Sequence, residues 1–238
     1  LTGTNAAVGD TIELLLGGAS LTTAVTKVLD STDVGNAYVD LTVTDGDLDT
    51  DGNKVFTAQV TDVAGNVGTA GGSLTVALDT TAPVHANVTA ITTDSGATGD
   101  RITNDNDAGT TFTVNGGEVG ATITVELADV DITGTKFDIV DHSDNTYTLT
   151  VKAGVTLADG VYTVKAADAA GNVVTGQTFT IDATAPSVPT NPIDLPDGSD
   201  TGSSATDNTT STTAPTLRVY LTGTNAAVGD TIELLLGG

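Results

Sequence analysis

The sequence predicts an all-β fold: tandem immunoglobulin-like β-sandwich domains in an elongated array. Three observations carry this. Apolar and polar residues alternate in short runs rich in β-branched side chains, turn signals return every 8 to 12 residues, and longer segments recur along the chain. No amphipathic helical stretch of useful length interrupts the pattern.

The recurrence operates on two scales. LTGTNAAVGDTIELLLGG occupies residues 1–18 and returns unchanged at 221–238. Eighteen consecutive identities exceed what a shared fold demands, since exposed strand positions drift freely. They predict a 220-residue repeat, of which the chain is a window cut from a longer protein. Inside that period lies a degenerate repeat. VTDVAGNVGTAGGSLTVALDTTAP (60–83) pairs with AADAAGNVVTGQTFTIDATAP (166–186), and VGDTIELLL (8–16) with VGATITVEL (119–127). The DxAGN turns begin at Asp62 and Asp168, 106 residues apart, and the TAP joints at Asp79 and Asp182, 103 apart. A unit of about 100 residues in series is the mark of a tandem array.

The elements follow in order. Ile12, Leu14 and Leu16 alternate with Thr11, Glu13 and Leu15, and Phe56, Ala58 and Val60 with Thr57, Gln59 and Thr61. The complete unit spans 83–185, with strands predicted at 84–93, 110–114, 121–127, 136–140, 146–152, 160–167 and 173–181. Seven strands in this length is an immunoglobulin-like count. Residues 1–82 hold the later strands of a second unit that lacks its first ones. Residues 186–238 hold the linker and first strands of the next copy, with 187–213 an extended strand followed by a long loop rich in Pro, Asp, Ser and Thr.

The bulk composition limits function. Net charge is -24, from 31 acidic residues against seven basic ones, which argues against nucleic acid or an anionic membrane surface as partner. Aromatics are 3% of the chain, and Trp and Met are absent, which suits thin β-domains better than an enzyme with a deep pocket. Cysteine is absent, so rigidity must come from something other than disulfides, and metal ions are the obvious substitute. No signal peptide begins the chain, as expected of a mid-protein window. No apolar run approaches the ~20 residues that span a bilayer, and a soluble segment without membrane insertion is expected.

The succession DTTAP, DSGATGDRITNDN, VGATITVEL and DGVYTVKAADAAGN resembles the bacterial immunoglobulin-like repeats of giant, type I-secreted, biofilm-associated adhesins of the RTX type. The resemblance runs along nearly all of 83–185 and touches the other unit at its VGDT, DVAGN and linker segments, where the insertion TDGDLDTDGNK departs from it. It implies an extracellular location at the bacterial surface, neighbouring repeats as partners, and Ca2+ at the joints between domains.

Candidate ligands lie in acidic loops. Asp45, Asp47, Asp49 and Asp51 alternate ahead of Gly52 and Asn53, and D-x-D-x-D-G copies the first half of a calcium loop, whose oxygens at positions 1, 3 and 5 converge on the ion. Ala58 stands where an EF-hand places its Glu, so outside ligands would be needed. The alternative is a solvated acidic loop. DSGATGDRITNDND supplies Asp94, Asp100 and Asp105, and the same end of the domain carries Asp159 and Asp182, with Asp79 equivalent in the other unit. The counterpart loop DLPDGSDTGSSATDN supplies Asp194, Asp197 and Asp200. The alternative is that these residues cap turns through backbone N–H groups. DVAGN and DAAGN read as hairpin turns, or as ligands to a joint cation.

Catalytic signals are thin. His85 and His142 have no spaced partner, and no Ser sits in a G-x-S-x-G setting. The expectation is a non-enzymatic structural extender that projects a distal adhesive module. The alternatives are a self-assembling filament or surface-layer subunit, in which other copies of the chain are partners, and a ligand-binding module.

Overall fold

The computed structural model describes residues 5–236. The strands are β1 (Thr11–Leu16), β2 (Ala19–Val28), β3 (Gly52–Thr61), β4 (Leu74–Leu78), β5 (Asn87–Ile91), β6 (Ile102–Thr103), β7 (Thr111–Asn115), β8 (Thr122–Leu127), β9 (Val130–Asp131), β10 (Phe137–Asp141), β11 (Thr146–Val151), β12 (Gly160–Ala167) and β13 (Val173–Ile181). Two short helices, α1 (Ser31–Asn36) and α2 (Thr133–Lys136), complete the set. The fold is all-β and immunoglobulin-like, as the periodicity predicts.

Two sheets, ordered β10-β11-β7-β5 and β6-β13-β12-β8-β9, close over one core. Alternation drives this. Phe112 and Val114 of β7, and Tyr147, Leu149 and Val151 of β11, bury one face of the first sheet. Ile123, Val125, Tyr162, Val164, Phe179 and Ile181 answer from the second. Phe112 stacks on Phe179 at a centroid distance of 4.1 Å, and Tyr162 on Phe179 at 5.0 Å, so the aromatics join the sheets across the core. The Tyr162 hydroxyl donates to the Ala158 carbonyl at 2.7 Å, so its one polar atom is satisfied.

Residues 11–78 form one further sheet, β2-β1-β3-β4. Its register repeats that of the sandwich: Leu16 opposes Phe56 and Leu14 opposes Ala58, as Leu127 opposes Tyr162 and Val125 opposes Val164. No second sheet faces it among the described residues.

Several boundaries differ from expectation. The strand expected at 84–93 is confined to Asn87–Ile91, and Ala86 instead accepts a bond from Gln177 N at 2.8 Å. The two-residue strands β6 and β9, the strand β2 and both helices are additional. Helix α1 starts at a capping box in which Asp30 accepts from Thr32 N and Asp33 N while Asp33 accepts from Asp30 N. Residues 187–213 contain no strand; they are tied to the rest of the C-terminal segment by an antiparallel bridge between Asp194 and Arg218.

Candidate functional site at the connecting segments

Each TAP segment leaves the last strand of one sheet as bare backbone, with N–H groups that need acceptors. An aspartate just ahead of, or opening into, the neighbouring strand supplies them. After β4, Asp51 accepts from Thr80 N at 2.9 Å, Thr80 Oγ1 at 2.7 Å and Thr81 Oγ1 at 2.6 Å. After β13, Asp159 accepts from Ala183 N at 2.8 Å and from the Thr184 hydroxyl. Both carboxylates precede a glycine, Gly52 and Gly160, at the start of equivalent strands. The same clasp is thus built twice. Hydrogen bonds hold both groups ionised: the Thr81 hydroxyl, then the Thr80 hydroxyl, put Asp51 below the ordinary carboxylate value, and the Thr184 hydroxyl does so for Asp159.

The DxAGN turns meet the same segments. Asp62 accepts from Ala64 N and Asn66 N, and Asp168 from Asn172 N, so both are self-bonded hairpin turns. The spare Nδ2 proton of Asn172 donates to the Asp79 carbonyl at 3.0 Å, across 93 residues of sequence. The first connecting segment is therefore held from both sides, by Asp51 and by Asn172. Thr80, Thr81, Ala183 and Thr184, which donate in the two clasps, are not apparent from the acidic pattern; the shared D-[TA]-T ahead of Ala-Pro is the signal that could have found them.

The sequence-predicted ligands divide into four groups. Asp51, Asp159 and Asp79 serve the segments, Asp79 through Thr81 N at 3.1 Å. Asp100 and Asp105 serve their own loop: Asp100 accepts from Ile102 N at 2.9 Å and Asp105 from Thr110 Oγ1 at 2.7 Å, a bond that lowers the Asp105 pKa. Asp194 likewise serves its own segment and belongs with these two, accepting from the Tyr220 hydroxyl at 3.2 Å. Asp45, Asp49, Asp182 and Asp197 are exposed, Asp47 lies 3.3 Å from Thr23 N, and Asn53 is paired with Ala77 inside β3. The loop 45–53 does not converge, because Asp51 turns to the threonines and Asn53 belongs to the strand.

Asp94 and Asp200 form the fourth group. Asp94 Oδ2 accepts from Gly99 N, and Asp200 Oδ2 from Asn208 N at 3.1 Å, while the Oδ1 of each is buried without a partner. Asp200 as a whole is 6% exposed. The two occupy the same place, in D-S-G and D-T-G of equivalent loops. Among the described residues no three His, Asp or Glu side chains gather as a metal-holding group. The fit to a calcium ion therefore rests on these two orphaned oxygens.

Residues 81–183 match the family model described as bacterial Ig-like domain, so the closed sandwich is similar in sequence to that family. None of the curated proteins matches the chain. Among solved structures, an I-band fragment of titin aligns at 16% identity and TM-score 0.35, covering 74% of this chain and 55% of that one. SGBP-B of the Bacteroides ovatus mixed-linkage glucan utilization locus, in complex with a mixed-linkage heptasaccharide, aligns at 20% identity and TM-score 0.25, covering 73% and 37%. The human desmocollin-1 ectodomain aligns at 16% identity and TM-score 0.24, covering 79% and 32%. The chain spans less than two thirds of the length of each of these three. No helix among the described residues is long and apolar enough to cross a membrane.

Proposed function

We propose that this chain is a structural extender, a tandem immunoglobulin-like repeat of a large bacterial surface adhesin that holds a distal adhesive module away from the cell. The observation that carries this reading is the duplicated clasp: Asp51 on residues 80–81 and Asp159 on residues 183–184. A catalytic or ligand-binding domain has no need to brace its connecting segments identically, whereas an array that must transmit direction does. Units bounded near residues 82 and 185 follow from the same repetition.

Asp94 and Asp200 are the residues that would hold Ca2+ in this reading, each through a buried oxygen lacking a donor. The bound ion would supply positive charge beside loops that otherwise repel one another in a chain of net charge -24. Extracellular calcium matches the weak affinity of exported modules, about 10⁻⁴ to 10⁻³ M.

Calorimetric titration tests the site. Calcium is expected to bind saturably to the intact chain and to raise its melting temperature. Asp94→Asn and Asp200→Asn are each expected to remove part of the binding, and the double variant to weaken it at least tenfold. Equal binding by the double variant would reject the assignment.

A further inference from the structure

We propose that Asp45–Gly46 and Asp197–Gly198 are modification sites, at which the aspartate isomerises to isoaspartate without an enzyme. The sequence holds this dipeptide four times, the others being Asp51–Gly52 and Asp159–Gly160, and its amide relative once, Asn115–Gly116. Glycine after the acid leaves the attacking amide nitrogen unhindered, because no Cβ stands beside it. By sequence the four are alike. They are alike in exposure too, since all four aspartates are exposed. Hydrogen bonding divides them.

The reaction sets the requirements. The glycine nitrogen attacks the aspartate Cγ, and its proton leaves with one carboxyl oxygen and that oxygen's proton as water. A five-membered succinimide closes. Water then adds at the main-chain carbonyl of the ring, and the bond from that carbonyl to the nitrogen breaks. The main chain now runs through Cβ and Cγ, and the former carbonyl carbon carries a free carboxylate. One water is lost and one gained, so the mass is unchanged. A fast reaction needs a carboxyl group free to turn and lose an oxygen, and a glycine nitrogen free to approach it.

Asp45 and Asp197 meet both needs. Each is the second residue of a β-turn closed by a backbone bond, Asp47 N to Thr44 O at 3.1 Å and Ser199 N to Pro196 O at 2.7 Å. Such a turn leaves the N–H of its third residue unused, here Gly46 and Gly198. Neither carboxylate accepts a hydrogen bond among the described residues. No atom lies within 4 Å of where a Cβ would stand on either glycine, so no neighbour opposes the closing ring.

Asp51 and Asp159 meet neither. Thr80 and Thr81 hold the first, and Ala183 N with the Thr184 hydroxyl holds the second. These bonds keep both groups ionised, and an ionised oxygen is a poor leaving group. Gly52 and Gly160 are fixed in their ladders opposite Leu78 and Ile181. Asn115 is held likewise: its Oδ1 accepts from Gly117 N at 3.0 Å, and Gly116 N donates to the Asn145 carbonyl at 2.9 Å. The clasps therefore protect the peptide bonds beside them. At Asp197 the product adds one main-chain carbon between Pro196 and Asp200, whose N–H also reaches the Pro196 carbonyl at 3.1 Å. Isomerisation there loosens the turn that seats the buried Asp200. The proposal does not depend on calcium and is tested without it.

The intact chain is aged in chelator at neutral pH and physiological temperature for several weeks and digested. Its peptides are then labelled by an isoaspartate-specific carboxyl methyltransferase with a radioactive methyl donor. Label is expected at 45 and 197, at least about tenfold above 51 and 159, because a clasped aspartate reacts only after its bonds open. Asp45→Glu and Asp197→Glu, whose longer side chains must close a six-membered ring, are each expected to abolish label at their own site alone. In concentrated urea all four aspartates are expected to react alike. Absence of label at 45 and 197, equal label at 51 or 159 in the folded chain, or a division that survives in urea would each overturn the proposal.

Discussion

Gly176 shows how one atom decides a local path. A Cβ there would overlap the carbonyl oxygen and Cβ of Ala86, whose oxygen accepts the Gln177 N–H. That approach brings the chain leaving the first connecting segment against β13. Gly176→Ala is expected to cost about 1–3 kcal/mol by overpacking, read as a lower denaturant midpoint with unchanged slope. Tyr162→Phe removes one hydroxyl bond and is expected to cost about 1 kcal/mol in the same measurement. Asp51 and Asp159 give a pH signature. Their folded pKa lies below the ordinary 3.8, so their bonds contribute in full above that value, and the contribution is lost as pH falls through the folded value. The melting temperature is expected to hold between about pH 5 and 7 and to fall below about pH 4, with a flatter acid limb in the Asp51→Asn, Asp159→Asn double variant. The acidic residues were legible as a group near the joints. Their partners were not, because an Asp finds a hydroxyl or an N–H equally well and the choice is made by the fold.

At the scale of elements, the hexapeptide TIELLL provides an internal control. As Thr11–Leu16 it is a strand between β2 and β3; as 231–236 it has no strand partner. The local propensity is the same, so the difference is tertiary. Amide exchange is expected to be slow along 11–16, which is paired on both edges, and fast throughout 231–236; equal protection would contradict the fold described. This also explains how far periodicity reached. The strands of the closed sandwich were readable because their inward faces meet a fixed opposing sheet while alternate residues face outward. The alternating stretch 39–43 has the same pattern and forms no strand. β6 and β9, with two residues each, and α1, whose six residues depend on the Asp30 and Asp33 capping box, are too short to impose a period.

For the whole molecule, charge and joint geometry set the behaviour. A net charge of -24 repels along any extended arrangement, and monovalent salt weakens that repulsion only by screening. A calcium ion seated on Asp94 or Asp200 would act locally and at much lower concentration. Melting temperature is therefore expected to rise more in millimolar calcium than in sodium chloride of equal ionic strength, with the difference lost in the Asp94→Asn, Asp200→Asn variant. The central claim is that braced connecting segments and calcium together align successive sandwiches. Small-angle scattering of two consecutive 220-residue periods, first in calcium and then in chelator, tests it most directly. A long maximum dimension in calcium that shortens on chelation is expected; an unchanged maximum dimension would contradict calcium stiffening of the joints.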